Sequence, residues 1–262
     1  REPGQEAKED FASGSKAAAA GGYTRVATMP NTNPVIDTAA LVKAMQKRVE
    51  EDAVVHIEII GAVTKGQKGE EMAEVGDMTE AGAIAFSDDG HFTKSAKVLL
   101  NCYDYLRTFD KVIINHDEEP SLVEEGVMNE SHRSAMLGMK GRPTVAEDIA
   151  VARDIMLAEY ADAKVHVAHI SSARAVDIVR QAKARGVKVT AEATPQHMTM
   201  TDDCVELFDS STKINPPLRE QKDVDAVLEG LKDGTIDCIV TDHSPHAQEE
   251  KDREYIYAPS GF

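Results

Sequence analysis

The sequence predicts an α/β fold in which parallel strands and helices alternate around a (β/α)8 barrel of the TIM type. Short runs rich in Val, Ile and Ala alternate with amphipathic helical stretches along the chain, which is typical of βαβ units. Most of these runs are apolar on both faces, as in parallel strands covered on both sides. Polar residues follow nearly every strand, whereas the ligands of an open doubly wound sheet gather at one switch point.

Seven strands are predicted, at 24–29, 54–63, 83–87, 111–115, 164–170, 187–193 and 238–241. The clearest helices are predicted at 38–51, 144–159, 172–185 and 221–232. The segment 121–141 is expected to be a long loop with a short helix. Because a closed barrel has eight strands, the eighth is expected just before Arg1. Residues 1–262 are therefore expected to form a single barrel domain that lacks its first strand, its last helix and a C-terminal extension.

Composition excludes some classes of partner. A formal net charge of −17 argues against nucleic acid, which would need a basic stripe. It does not exclude an anionic substrate, because metal ions and a few arginines can reverse the local field. The three cysteines are widely spaced and favour a reducing, cytoplasmic compartment. No apolar run reaches transmembrane length, so no membrane is expected.

Carboxylates and imidazoles stand at the ends of four predicted strands. Asp88 and Asp89 follow the third strand, His116 the fourth, His169 the fifth and Asp242 the last. In a parallel barrel these strand ends build the active site. Such side chains are ligands of zinc, so the pattern predicts a metal centre. One of Asp88 and Asp89 is expected to point into the barrel mouth.

Each of these residues also has a simpler interpretation. Asp242 alone fits a helix N-cap, and a single histidine at a strand end is more often a satisfied core residue. Their recurrence on several strands favours a metal. The last strand is expected to be buried, and strand alternation would place His243 opposite Asp242, in a structural role. His166, three residues before His169, is also expected to be structural, whereas His246 lies in a loop and can reach a ligand.

Two proline-rich loops carry asparagines. Asn31 and Asn215 each stand among prolines, where the amide either holds the turn or binds a polar substrate. Glu147 and Glu192 are candidates for buried, paired carboxylates, which the sequence does not decide. Three histidines without evident partners are expected in loops or at the surface: His91, His132 and His197.

Eight motifs occur in an order that resembles the bacterial dihydroorotases of the amidohydrolase superfamily. They lie at 1–5, 29–34, 87–90, 116–119, 169–172, 215–219, 241–246 and 258–261. The resemblance covers essentially the whole chain. It implies a zinc-dependent (β/α)8 barrel that interconverts N-carbamoyl-L-aspartate and L-dihydroorotate, a cytoplasmic step of pyrimidine biosynthesis. A homodimer is one arrangement that fits.

The resemblance also implies roles for individual residues. Asp89 matches the carboxylate that bridges two zinc ions, and His116 and His169 match ligands of the second zinc. Asp242 matches the ligand that also shuttles a proton. Substrate-binding positions are matched by Arg1, Asn31, Asn215, His246, Pro259 and Gly261.

The chain departs from this pattern at two places. The family's His-x-His pair lies immediately before the motif that begins here at Arg1. The chain is therefore expected to be an internal piece of a longer enzyme, inactive by itself. Gln196 stands where relatives often have a second histidine, and that position is not expected to be catalytic.

Two alternatives stay open at this point. Hydantoinases and allantoinases share the fold but usually bridge their metals with a carbamylated lysine at the end of the fourth barrel strand. Here that strand ends at 87–89 without a lysine, and the nearest is Lys94. A catalytically inactive homologue with a structural or binding role is the other alternative, although the retained strand-end ligands favour an enzyme.

Overall fold

A computed structural model describes residues 1–262, which fall into two compact units. Unit 1 comprises residues 1–116 with 160–164, and unit 2 comprises residues 117–159 with 165–262. The single domain expected from the sequence stays a prediction. None of the helices is long and apolar enough to cross a membrane.

Unit 1 contains four parallel strands in sequential order. They are β1 (Arg25–Thr28), β2 (His56–Gly61), β3 (Ala85–Ser87) and β4 (Val112–Asn115). In the register, Ile60 pairs with Ala85 and Phe86 pairs with Ile113. The helices are α1 (Phe11–Ala20), α2 (Ala39–Asp52), α3 (Val75–Glu80) and α4 (Ala96–Leu106), with 3-10 turns at Lys65–Gln67 and Arg107–Phe109.

Helix α4 shows how the sequence builds this unit. The Ser95 hydroxyl caps its first turn by accepting from the Val98 N–H at 3.2 Å. Its buried positions, at 99, 102, 103 and 106, recur every three or four residues and form one apolar stripe. At the end of β4, the Asn115 amide donates to the Tyr103 hydroxyl at 2.9 Å, which ties the strand end to this helix.

Unit 2 contains the remaining strands and helices. A short parallel pair, β5 (Met128–Asn129) and β6 (Gly141–Arg142), precedes β7 (Lys164–Val167), β8 (Val189–Ala193) and β9 (Cys238–Ile239), which are also parallel and adjacent in that order. The helices are α5 (Pro120–Val123), α6 (His132–Leu137), α7 (Val145–Ala161), α8 (Ala173–Ala184), α9 (Pro195–Thr199), α10 (Gln221–Asp233) and α11 (Gln248–Lys251), with 3-10 turns at Asp202–Leu207 and Ser210–Thr212.

All seven predicted strands and the four predicted helices are present, although most strands are shorter than predicted. The prediction for 121–141 is wrong, since this segment holds two short helices and the pair β5–β6. Strands of two residues are too short to show a period in the sequence. The segment is instead ordered by a small apolar cluster in which Met128 packs with Val205 and Tyr255.

Strands β1 and β9 are edge strands, each paired on one side only. The expectation that the last strand is buried is wrong, since both residues of β9 are exposed and Ile239 retains 49% of its accessible surface. Strand β9 pairs only with β8, so its apolar side chains remain exposed because no further strand covers its other edge.

Candidate metal centre

The two aspartates that follow β3 have different environments. Asp88 is buried, and its carboxylate accepts from the N–H groups of Val63 and Thr64, both at 3.0 Å. It also accepts from the hydroxyls of Thr64 at 2.5 Å and Thr93 at 3.1 Å. Burial raises the pKa of Asp88, although these donors favour its charged form. Asp88 therefore anchors the loops that carry residues 63–64 and Thr93, and both of its carboxylate oxygens are used in these hydrogen bonds.

Asp89 lies beside His116. An oxygen of its carboxylate is 3.8 Å from Nδ1 of His116, and the two side chains are 14% and 4% exposed. Two zinc–ligand bonds of about 2.1 Å each can span that separation. The chemistry of this donor pair, one carboxylate and one imidazole in a largely buried site, fits a divalent metal.

Two predicted substrate-binding residues lie in the same unit. Asn31 is half-buried, and its amide nitrogen is 3.4 Å from the place where a β-carbon on Gly90 would stand. The backbone carbonyl of Asn31 accepts from the Gln5 side-chain amide at 3.4 Å. The backbone N–H of Gln5 donates to the backbone carbonyl of Arg1 at 3.1 Å. Gln5 thus links the backbone of Arg1 to that of Asn31, next to the Asp89–Gly90 turn.

In unit 2, the two remaining predicted ligands share an uncommon backbone conformation. His169 has φ of +32° and Asp242 has φ of +48°. Residues other than glycine seldom adopt this left-handed region, which costs about 1–3 kcal/mol and is concentrated at functional sites. Residues 240–247 are not in a strand, so strand alternation does not place Asp242 and His243 on opposite faces.

A buried ion pair supports the loop after His169. The Glu147 carboxylate accepts from the N–H groups of Ser171 at 2.8 Å and Ser172 at 3.0 Å. It is 3.1 Å from the Arg219 guanidinium, and both side chains are 4% exposed. Arg219 also donates to the Ser171 hydroxyl, which in turn donates to Glu147. The sequence left the burial and pairing of Glu147 undecided, and the structure shows that this carboxylate is both buried and paired.

The side chain of Asn215 contacts two charged residues. Its carbonyl oxygen accepts from Arg142 at 2.7 Å, and its amide nitrogen donates to Glu118 at 3.4 Å. Arg142 and Glu118 are themselves 3.1 Å apart. Arg142 was not identified from the sequence, because it directly follows the segment interpreted as a loop, 121–141, where no pattern marks it.

The predicted residues near the end of the chain lie together. Nε2 of His246 is 2.9 Å from the Ser260 carbonyl oxygen, and the Lys251 ammonium donates to the carbonyls of Pro259 and Gly261 at 3.0 Å each. A β-carbon on Gly261, whose φ is +137°, would stand 2.4 Å from the Ser244 carbonyl oxygen. Only glycine permits this close approach of the two loops.

Lys213 also holds this loop and was not identified from the sequence. Its ammonium donates to the Tyr255 carbonyl at 2.8 Å, and its own carbonyl accepts from the Gly261 N–H at 2.9 Å. Burial, followed by the positive charges of Arg142 and Lys251, lowers the pKa of Lys213 to about 8.

His197 does not lie at the surface as expected. It is 3% exposed, and its ring nitrogens are 2.8 Å from the Thr194 hydroxyl and 2.9 Å from the Pro216 carbonyl oxygen. Burial lowers its pKa to about 4. The expectation was wrong because helix α9 carries His197 into the interior, where its N-cap Thr194 and the distant Pro216 satisfy the two nitrogens.

Comparison with known proteins identifies the family. The model of a family described as dihydro-orotase-like matches residues 1–175, which include Asp89, His116 and His169. The chain belongs to this dihydro-orotase-like family.

Named dihydroorotases match the chain along its whole length. The one from Ruminiclostridium cellulolyticum is 50% identical and the one from Pelotomaculum thermopropionicum 53% identical, in each case over all 262 residues. The chain spans 61% of the length of either relative. The resemblance inferred from the eight motifs is confirmed.

Solved structures with the same fold include a hydantoinase and a dihydropyrimidinase. The L-hydantoinase from Arthrobacter aurescens aligns with a TM-score of 0.87 and 23% identity, over 99% of this chain and 60% of its own. The dihydropyrimidinase from Brevibacillus agri aligns with a TM-score of 0.75 and 22% identity, over 97% of this chain and 58% of its own. The predicted α/β fold of the (β/α)8 barrel class is confirmed, with seven of its strands in this dihydro-orotase-like chain.

Proposed function

We propose that the protein is a zinc-dependent dihydroorotase, which interconverts N-carbamoyl-L-aspartate and L-dihydroorotate in pyrimidine biosynthesis. The observation that carries this proposal is the identity of about half of all residues, over the whole chain, with proteins named dihydroorotase. All three cysteines are unpaired, which suits the cytoplasm. A homodimer stays a prediction.

The residues that would hold the metal are Asp89, His116, His169 and Asp242, and Asp89 would be the carboxylate shared by two zinc ions. The 3.8 Å between Asp89 and His116 supports this donor set in unit 1. The left-handed backbone of His169 and Asp242 supports a functional role in unit 2. When bound, the ions supply Lewis acidity that polarises the ring carbonyl and acidifies water.

Asp242 is the proposed proton carrier. In the hydrolytic direction its carboxylate takes a proton from the attacking water and delivers it to the ring nitrogen that leaves. A carboxylate is suited to both steps because its two oxygens can accept and then return a proton without a change of rotamer.

The proposed substrate contacts use charge and hydrogen bonds. The Arg1 guanidinium pairs with the substrate carboxylate through two parallel hydrogen bonds. Asn31, Asn215 and His246 provide polar contacts, with Pro259 and Gly261 in the loop that lies against His246. The contacts of Asn215 with Arg142 and Glu118 fix which end of its amide faces each neighbour.

Replacement of the proton carrier tests the mechanism. Asp242→Asn keeps the shape but removes the base, so kcat of the complete enzyme for dihydroorotate hydrolysis should fall by roughly 10²-fold or more. The exposed neighbour His243 provides the matched control, and His243→Asn should stay within a few-fold of the parent. An Asp242→Asn enzyme within a few-fold of the parent would rule out proton transfer by this residue.

The choice of ring tests the substrate. Dihydrouracil lacks the carboxylate of dihydroorotate and should be hydrolysed poorly by the complete enzyme, because a site built for that charge leaves its own polar groups unpaired. Arg1→Met should raise KM for dihydroorotate and shrink the preference between the two rings. Equal hydrolysis of both rings by the parent would instead support a hydantoinase-like enzyme.

A further inference from the structure

A second group of ligand-type side chains lies on strands β7, β8 and β9. In the parallel register His166 is the partner of Thr190, and Glu192 is the partner of Cys238. Glu192 is two residues beyond Thr190 on β8, so both side chains stand on one face of that strand. The ligand atoms of His166, Glu192 and Cys238 all lie within 4.8 Å of one another.

The His166 imidazole is held by its neighbours. Nδ1 lies 2.7 Å from the Thr190 hydroxyl, and Nε2 lies 2.9 Å from the Glu192 carboxylate. In the tautomer whose Nδ1–H donates to Thr190, the lone pair of Nε2 faces the Glu192 carboxylate, and this arrangement is favourable when a cation lies between them. A hydrogen bond to the far ring nitrogen is how metal-binding histidines are usually oriented. The other Glu192 oxygen accepts from the His169 N–H at 3.4 Å, which fixes the carboxylate.

We propose that His166, Glu192 and Cys238 form a metal site separate from the centre of Asp89, His116, His169 and Asp242, and that it takes Zn²⁺. One imidazole, one carboxylate and one thiolate make a donor set that zinc accepts, and three protein ligands leave a fourth position for water. The thiolate distinguishes the site from one for Mg²⁺ or Ca²⁺, which prefer oxygen ligands. Cys238 is exposed, so an ion can reach it from solvent.

The local charge also favours a cation. Burial of the thiol, followed by the negative charges of Glu192 and Asp237, raises the pKa of Cys238. A divalent cation reverses this balance, because it stabilises the thiolate and neutralises the carboxylate. The alternative is a plain hydrogen-bonded group of His166, Thr190 and Glu192 with a bystander cysteine.

Titration of the purified protein with Cd²⁺, a zinc substitute, separates these alternatives. A cadmium–thiolate bond absorbs in the ultraviolet, and the parent protein should develop this band to saturation. Cys238→Ser should abolish it, whereas Cys204→Ser, which removes an exposed cysteine elsewhere, should leave it unchanged. Asp89→Ala should also leave the band unchanged, because the proposed catalytic ligands include no cysteine. Failure of either proposal can therefore be recognised independently of the other.

Two further variants test the remaining ligands. His166→Gln and Thr190→Val should each weaken the Cd²⁺ affinity read from this band, with a loss of roughly 10–100-fold for the Thr190 variant. Competition by Zn²⁺ should remove the band, and far-ultraviolet circular dichroism should show each variant folded. Absence of the band in the parent, its persistence in Cys238→Ser, or an unchanged affinity in His166→Gln would overturn the proposal.

Discussion

The strand ends of the two units both rest on a buried carboxylate, but the two carboxylates are satisfied in different ways. In unit 1, Asp88 accepts hydrogen bonds from neutral donors, the backbone of 63–64 and two threonine hydroxyls. In unit 2, Glu147 accepts from the backbone of 171–172 and pairs with the guanidinium of Arg219. Both carboxylates accept hydrogen bonds from N–H groups of a loop that follows a strand. Asp88 in unit 1 does so without a positively charged partner, whereas Glu147 in unit 2 is paired with Arg219.

The difference determines what each site tolerates. A carboxylate held by neutral donors can lose one of them at modest cost, since the others remain and water or a proton can compensate. A buried ion pair that loses its cation leaves a charge in a medium of low dielectric constant. Unit 2 should therefore be the more sensitive of the two to single substitutions at its strand ends.

The largest expected effect is the loss of the cation in unit 2. Arg219→Met should lower the free energy of unfolding by about 3–5 kcal/mol, because Glu147 stays buried without its counter-charge. Urea denaturation of the metal-free protein measures this. Arg180→Met, which breaks an ion pair to Asp233 in the same unit with side chains 39% and 35% exposed, is the control and should cost about 0–1 kcal/mol. Equal losses in free energy of unfolding for the two variants would show that the buried ion pair of Glu147 and Arg219 is no more important to stability than an exposed one.

The pH dependence of stability should also differ between the units. His197 in unit 2 has its pKa lowered from 6.5 to about 4, so the unfolded chain binds a proton that the folded chain does not. Stability from this group is complete above pH 6.5 and is lost as the pH falls towards 4. The loss amounts to up to about 3 kcal/mol at about 1.4 kcal/mol per pKa unit.

Asp88 in unit 1 should act in the opposite direction. Its pKa is raised by burial, so the folded chain holds its proton more firmly, and stability falls as the pH rises from 3.8 through the folded pKa.

The contribution of His197 can be measured from urea denaturation midpoints between pH 4 and 7. Their slope against pH should be smaller in His197→Gln than in the parent, whereas the exposed control His132→Gln should keep the parent slope. An unchanged slope in His197→Gln would contradict the lowered pKa of His197 as the cause of the pH dependence.

The smallest expected effect separates the two aspartates of unit 1. Asp88→Asn places an amide NH₂ against donors and should cost about 1–3 kcal/mol. Asp89→Asn removes no such anchor and should change the stability of the metal-free protein by about 0.5 kcal/mol or less. The Asp89 variant should instead bind less zinc than the parent, as measured by elemental analysis. A larger stability loss for Asp89→Asn than for Asp88→Asn would reverse the roles given to them.

The order of strands and helices followed from the sequence because its signal is local. The period of apolar residues in α4 and the short apolar runs of β2 and β4 are contained within each segment. The same holds for Asp89 and His116, whose places at strand ends are properties of adjacent residues. Segments too short to show a period, such as β5 and β6, were missed for the same reason.

The partners of the charged side chains were decided only by the tertiary structure. The sequence identified Asp88 and Asp89 together, but the loop carrying Thr64 determines that Asp88 is the anchor. It gave no sign that Arg219 pairs with Glu147, a residue 72 positions away. It also gave no sign that His166, Glu192 and Cys238 converge from three strands. Local periodicity states which face of an element is apolar, but the register between elements fixes which charges meet, and no contiguous stretch of residues contains that register.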